Sequence, residues 1–102
     1  MILFNLLTLD AQRAQAAATL LLTERMAHDV FVDEAIANQR LTPAGTVASA
    51  PLCRLLFLTK ASLYTRIEQL LHTHFPTNDF RLYATAVTHV EAAEADRVRG
   101  LA

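Results

Sequence analysis

Two short runs constrain this chain more than anything else in it: ILFNLL at 2–7 and LCRLLFLT at 52–59. Each is nearly all apolar and bounded by turn residues, so each reads as a buried strand rather than a helix. Each is apolar on both of its alternating faces. Ile2, Phe4 and Leu6 alternate with Leu3 and Leu7 in the first. Leu52, Leu56 and Leu58 alternate with Cys53, Leu55 and Phe57 in the second. A sheet built on such strands needs a cover on both sides.

The segments between them follow other periods. Asp10 reads as an N-cap, because its carboxylate can accept from the free N–H groups of a first helical turn. A helix is expected over 11–26, where alanine, leucine, glutamine and arginine dominate. Ala14, Ala17, Ala18, Leu21 and Arg25 share one side of it. From about Asp29 the period shortens: VFVDEAIANQ alternates, with Val30, Val32 and Ile36 on one face. LTPAGTVASAP (41–51) reads as the one loop, with Gly45 and two of the three prolines. Thr59 or Ser62 is expected to cap a second helix whose apolar stripe is Leu63, Ile67, Leu70, Leu71 and His74. Pro76 stops it. FRLYATAVTHV (80–90) alternates again, and EAAEADRVRGLA reads as a short charged helix closed near Gly100.

The resulting order is strand, helix, strand, strand, helix, strand, then a terminal helix. That is the α+β, ferredoxin-like βαββαβ plan: a four-stranded antiparallel sheet with two helices on one face. The first and third strands are central in it. The 102 residues fit a single domain spanning 1–102. Two helices cover one sheet face and no spare segment remains for the other. An open apolar face of that size is an association site, so a homo-oligomer is expected from the two-faced strands alone.

Nine basic and ten acidic residues nearly balance, and no basic patch gives a nucleic-acid footprint. No apolar stretch approaches the roughly 20 residues that span a bilayer. Cys53 is the one cysteine, so no internal disulfide can form, as suits a reducing cytosol. MILFNLLTLD lacks the basic leader and small-residue cleavage site of a signal peptide. A cytoplasmic location is the expectation.

LLFLTKASLYTRIEQLLHTHFP resembles the strand–helix segment of the CutA divalent-cation-tolerance proteins. In that family a strand ends on Lys-Thr, a Leu/Ile-striped helix follows, and the chain turns at His-Pro-Tyr-Glu. TERMAHDVFV is similar to the family's helix end and second strand. The resemblance covers most of the chain. It implies a ferredoxin-like homotrimer whose sheets pack around a threefold axis, and a role in divalent-metal tolerance. It also implies a kinship with the trimeric PII signalling proteins, whose PII-like relatives bind small ligands such as nucleotides in clefts between subunits. The chain departs from the family pattern at Asp29, where the second strand starts on cysteine, and at Phe75, Thr77 and Asn78 around the turn proline. NQRLTPAGTV stands where the family has an aromatic, tryptophan-bearing hairpin. Most residues proposed to bind copper in the family are therefore absent.

The candidate metal ligands are His72, His74 and His28, with copper or zinc as the divalent ion. Residues two apart on an intact helix lie roughly 200° apart, whereas pairs three or four apart face one another. His72 and His74 could therefore grip one ion only if the helix unwinds at Thr73. As plain helix-end residues they need only the favourable helix dipole. His28 and Asp29 are adjacent, so on a strand they point to opposite faces. Cys53 reads as a small core hydrophobe, and His89 as an exposed strand end. Glu34 intrudes on the Val32–Ile36 face, which calls for an arginine partner across a subunit boundary or a bulge. Glu91, Glu94, Asp96, Arg97 and Arg99 read as a solvated helix face with intrahelical pairs.

No catalytic residue is assigned. Gly45 and Gly100 are the only glycines, so no glycine-rich phosphate loop exists. Neither a nucleophile elbow nor a Cys-x-x-Cys or His-Glu-x-x-His motif occurs. The reading is a non-enzymatic CutA-like homotrimer that binds a small ligand or metal ion at subunit clefts. A PII-like nucleotide-responsive regulator and a small oligomeric enzyme with an intersubunit site are the alternatives.

Overall fold

In a computed structural model, which describes residues 1–76 and 80–102, the strands are β1 (Ile2–Thr8), β2 (Phe31–Ile36), β3 (Gln39–Leu41), β4 (Val47–Ser49), β5 (Leu52–Thr59) and β6 (Arg81–Ala86). The helices are α1 (Ala11–Thr23), α2 (Tyr64–His74) and α3 (Ala92–Arg99), with a 3₁₀ turn Ala61–Leu63 leading into α2. β2, β5, β1 and β6 form one antiparallel sheet in that order. The two doubly apolar runs are its central strands, as the ferredoxin-like plan requires.

The sheet's register sorts the two faces. Phe4 lies opposite Phe57 and Leu6 opposite Leu55. These side chains are buried with Ala14, Ala17, Ala18 and Leu21 of α1 and Ile67 and Leu71 of α2. Alanines at the α1 contact let that helix lie close to the sheet. Phe4 and Phe57 stack at 4.9 Å with their rings 12° apart, and Tyr64 closes on Phe4 at 5.2 Å. The other face carries Leu3, Leu7, Leu56 and Leu58, none fully buried, with exposed Phe31 and Tyr83 beside them.

Asp10 caps α1 as expected: its Oδ1 accepts from the N–H groups of Gln12 (2.9 Å) and Arg13 (3.3 Å). α1 stops at Thr23 rather than Met26. Met26 N–H donates to Leu21 O and Arg25 N–H to Leu22 O, the paired bonds of a Schellman motif. Arg25 holds φ 58°, the left-handed conformation that glycine usually supplies there. Its guanidinium donates to Gly100 O at 3.0 Å, and its carbonyl accepts from Ala102 N–H. Gly100 and Ala102 thus hold Arg25 in place.

The segment read as a loop is a hairpin. β3 and β4 pair Leu41 with Val47, and Thr42-Pro43-Ala44-Gly45 makes the turn. Gly45 N–H donates to Thr42 O and Gly45 has φ 83°, the three-residue hairpin loop with a glycine in the left-handed region. β2 bulges: Asp33 faces Arg54 and Ile36 faces Leu52, so three steps on β2 match two on β5. That bulge absorbs Glu34, whose carboxylate accepts from Gln15 Nε2 at 2.8 Å within the same chain.

Other boundaries differ for identifiable reasons. Neither Thr59 nor Ser62 caps α2; Thr59 Oγ1 instead donates to Met26 O at 2.7 Å, and Ser62 lies inside the 3₁₀ turn. β6 ends at Ala86, not residue 90, because its one partner, β1, begins there: Ala86 pairs with Ile2. His74 is exposed and leaves the apolar stripe, since the last turn of α2 carries its imidazole outside the core. The terminal helix is more than a solvated appendage. Arg97–Glu94 (2.7 Å) and Arg99–Asp96 pair on its wet side, but Val98 and Leu101 are buried in the core cluster. A segment was therefore available to cover part of the second sheet face, and α3 does so near Leu3 and Leu58.

Candidate functional site

The four histidines are all exposed. His72 and His74 stay on an intact α2, so the unwinding at Thr73 that would bring them together does not occur. His74 Nδ1 lies 3.1 Å from Leu70 O and, facing a carbonyl, must be the donor. Phe75 and Phe80 meet edge to face at 5.1 Å and clasp the turn after α2. Thr77 and Asn78, two of the departures from the CutA pattern, lie outside the described residues. His89 Nδ1 shares a 2.9 Å hydrogen bond with Thr88 Oγ1.

His28 has a different setting. Its Nε2 hydrogen-bonds the carbonyl of Arg97, which ties the segment before β2 to α3; β2 begins at Phe31, so His28 and Asp29 are not strand residues. That carbonyl can only accept, so Nε2 carries the proton and a neutral ring keeps a lone pair on Nδ1. With Asp29, Glu94 and Val98, His28 lines a cleft of about 320 Å³ floored by Leu3 and Leu58 of the less covered sheet face. Among the described residues, no three of the His, Cys, Asp and Glu side chains stand close enough together to hold a metal ion.

Cys53 is buried, and its thiol donates to Glu34 O at 3.2 Å. Burial pushes the thiol's pKa up, with the carboxylates of Glu34 and Asp10 adding to the effect. The sulfur therefore stays protonated and packs as a hydrophobe, as its place in a central strand suggested.

A second cleft, of about 420 Å³, opens at the opposite end of the sheet. The end of β1, the first turn of α1, the base of the β3–β4 hairpin and the first residue of β6 meet there. Arg13, Arg40 and Arg81 line it together with Asn38 and Asp10. No sequence motif announces this grouping, because the three arginines stand 27 and then 41 positions apart. Only the closing of the sheet and the hairpin's fold bring them to one place.

These features define an α+β, ferredoxin-like protein with helices on one sheet face, a protruding hairpin and a terminal helix folded back on the other face. No protein-family model matches the chain and no curated protein matches it. Solved structures of CutA1 proteins do. CutA1 from the psychrotrophic bacterium Shewanella sp. SIB1 superposes with a TM-score of 0.84 at 19% identity, covering 96% of this chain and 91% of that one. CutA1 from Oryza sativa gives 0.84 at 13% identity, over 96% and 89%. The periplasmic divalent cation tolerance protein CutA from Archaeoglobus fulgidus gives 0.83 at 13% identity, over 97% and 96%. The chain has the CutA1 fold from end to end, and the resemblance seen in LLFLTKASLYTRIEQLLHTHFP extends to the whole architecture.

Among the described residues, no helix is long and apolar enough to cross a membrane.

Proposed function

We propose that this chain is a cytoplasmic, CutA-like homotrimer that binds a divalent metal ion or small ligand and has no catalytic role. The observation that carries the reading is the sheet face left partly bare within a CutA1 fold. Leu3, Leu7, Leu56, Leu58, Phe31 and Tyr83 present apolar surface there, and Phe31 is 66% exposed. The paired Leu41 and Val47 of the hairpin are 73% and 69% exposed. Side chains of this size stay in water only at a cost of about 1.5–3 kcal/mol each relative to burial. A second and third copy of the same face would cover them.

Light scattering on the purified protein is expected to give three times the 11.3 kDa chain mass. Leu56→Asp places a charge in the middle of that face, opposite Phe31 and Asn5, and is expected to shift the protein toward monomer. A wild-type protein that runs strictly as a monomer overturns the trimer.

For the metal role, His28 is the best placed of His28, His72 and His74. A ligating imidazole ordinarily donates its other N–H to a carbonyl or carboxylate, and His28 already donates to Arg97 O. Asp29 and Glu94 line the same cleft but, among the described residues, do not complete a three-ligand group with His28, so on this reading most of the ligands come from a neighbouring subunit. Calorimetric titration with zinc and copper is expected to give saturable heat that His28→Ala removes and His72→Ala leaves intact. Absence of heat with both metals refutes the metal role while leaving the trimer standing.

A further inference from the structure

We propose that the arginine-lined cleft at the base of the hairpin binds a phosphate monoester. This goes beyond the trimer and the metal role, and one chain supplies every residue used; Arg81 pairs with Leu7 on the partly bare sheet face, so the site requires that end of the face to stay reachable beside the other copies. The first ground is the state of the guanidinium groups. Arg54 pairs with Asp33, Arg97 with Glu94 and Arg99 with Asp96, while Arg25 donates to Gly100 O. Among the described residues, neither Arg40 nor Arg81 has an ion pair or a side-chain hydrogen bond, and both face the same cleft.

The second ground is the charge balance inside the cleft. The chain as a whole carries a formal charge of -1, so this is no general basic surface. Among the described residues that line it, three arginines meet one acid. That acid, Asp10, is already committed to capping α1 and to a 3.7 Å contact with Arg13 Nε. Among the described residues Arg40 and Arg81 have no counter-charge, and a dianion would neutralise the two together.

Geometry selects among dianions. Arg40 comes from the hairpin base and Arg81 from the start of β6, so the two forks reach the cleft from different elements. A carboxylate carries one charge on two coplanar oxygens, so one bidentate fork already neutralises it. A phosphate monoester has three acceptor oxygens and close to two charges at neutral pH, so it can take forks from two directions at once. Leu9 and Leu52 provide an apolar wall for the rest of the molecule, and about 420 Å³ is the size of a small-molecule site.

The test is calorimetric titration of the full chain with phenyl phosphate, inorganic phosphate and benzoate at low and moderate salt. Phenyl phosphate is expected to bind, more weakly as salt screens the site, and inorganic phosphate to bind less tightly for lack of an apolar body. Benzoate is expected to give no comparable heat. Arg40→Gln and Arg81→Gln are each expected to weaken phenyl phosphate about tenfold or more, the usual effect of losing a charge-assisted hydrogen bond. Arg66→Gln, which also removes an arginine with no ion pair among the described residues but lies on α2 away from this cleft, should bind as wild type. All variants should keep the wild-type circular dichroism and elution volume. Lack of phenyl phosphate binding, equal binding by benzoate, or wild-type affinity in both Arg40→Gln and Arg81→Gln overturns the proposal. Binding by a protein found to be monomeric would still support it.

Discussion

Phe57→Ala is expected to lower the unfolding free energy by about 3–5 kcal/mol, the range for deleting a buried aromatic ring. Phe57 sits mid-way along β5, a central strand, and is fully buried. Its ring stacks on Phe4 at 4.9 Å, and Phe4 in turn meets Tyr64 from α2. The ring therefore joins both central strands to a covering helix, and its removal leaves a void that three elements would have to move to fill. Domains of this size are stable by about 5–15 kcal/mol, so the loss is a large part of the whole. Urea unfolding followed by circular dichroism measures it, at one fixed protomer concentration because association shifts apparent stability. A loss under about 1 kcal/mol would mean that the core collapses around the missing ring. A double-mutant cycle of Phe4→Leu with Phe57→Leu isolates the stacking itself, expected at about 0.5–1.5 kcal/mol beyond burial.

Thr59→Val is expected to cost about 1–3 kcal/mol although it preserves shape and volume. The Thr59 hydroxyl is fully buried and donates to Met26 O at 2.7 Å. Met26 follows the left-handed Arg25, so its carbonyl lies beyond the helix ladder. Valine would leave that acceptor buried and unpaired. Thr59→Ser keeps the donor and loses one methyl group, at about 0.8 kcal/mol for the burial. The same urea experiment compares the two. If Thr59→Ser proves as damaging as Thr59→Val, packing rather than the hydrogen bond holds this corner.

Several features were legible without coordinates because local physics alone sets them. The short, nearly all-apolar runs ILFNLL and LCRLLFLT mark strands, and their apolar character on both faces marks central ones. Asp10 before an alanine-rich run marks a cap. Thr42-Pro43-Ala44-Gly45 also carried a local signal, since proline second and glycine fourth suit a type I turn closed by a left-handed residue. It was hidden by the exposed, weakly apolar strands on either side, which look like loop when no core face is present to set their period.

Other features had no local signal. The end of α1 depends on an arginine in a glycine conformation, held by contacts with Gly100 and Ala102 at the far end of the chain. His74 fits the helical period, yet it lies outside the core because the stripe outruns the surface it covers. Arg13, Arg40 and Arg81 are unremarkable one by one in the sequence.

The sequence by itself determined the element order, the central strands and the need for a cover on a second sheet face. Hydrophobic periodicity is written residue by residue, and it can be read that way. Only the tertiary structure decided that α3 folds back onto part of that face, that His28 rather than His72 or His74 shares a cleft with acids, and that three arginines converge at the hairpin base. Those outcomes depend on which distant segments the strand pairing brings together, and pairing register is a property of the folded sheet, not of any one stretch of chain.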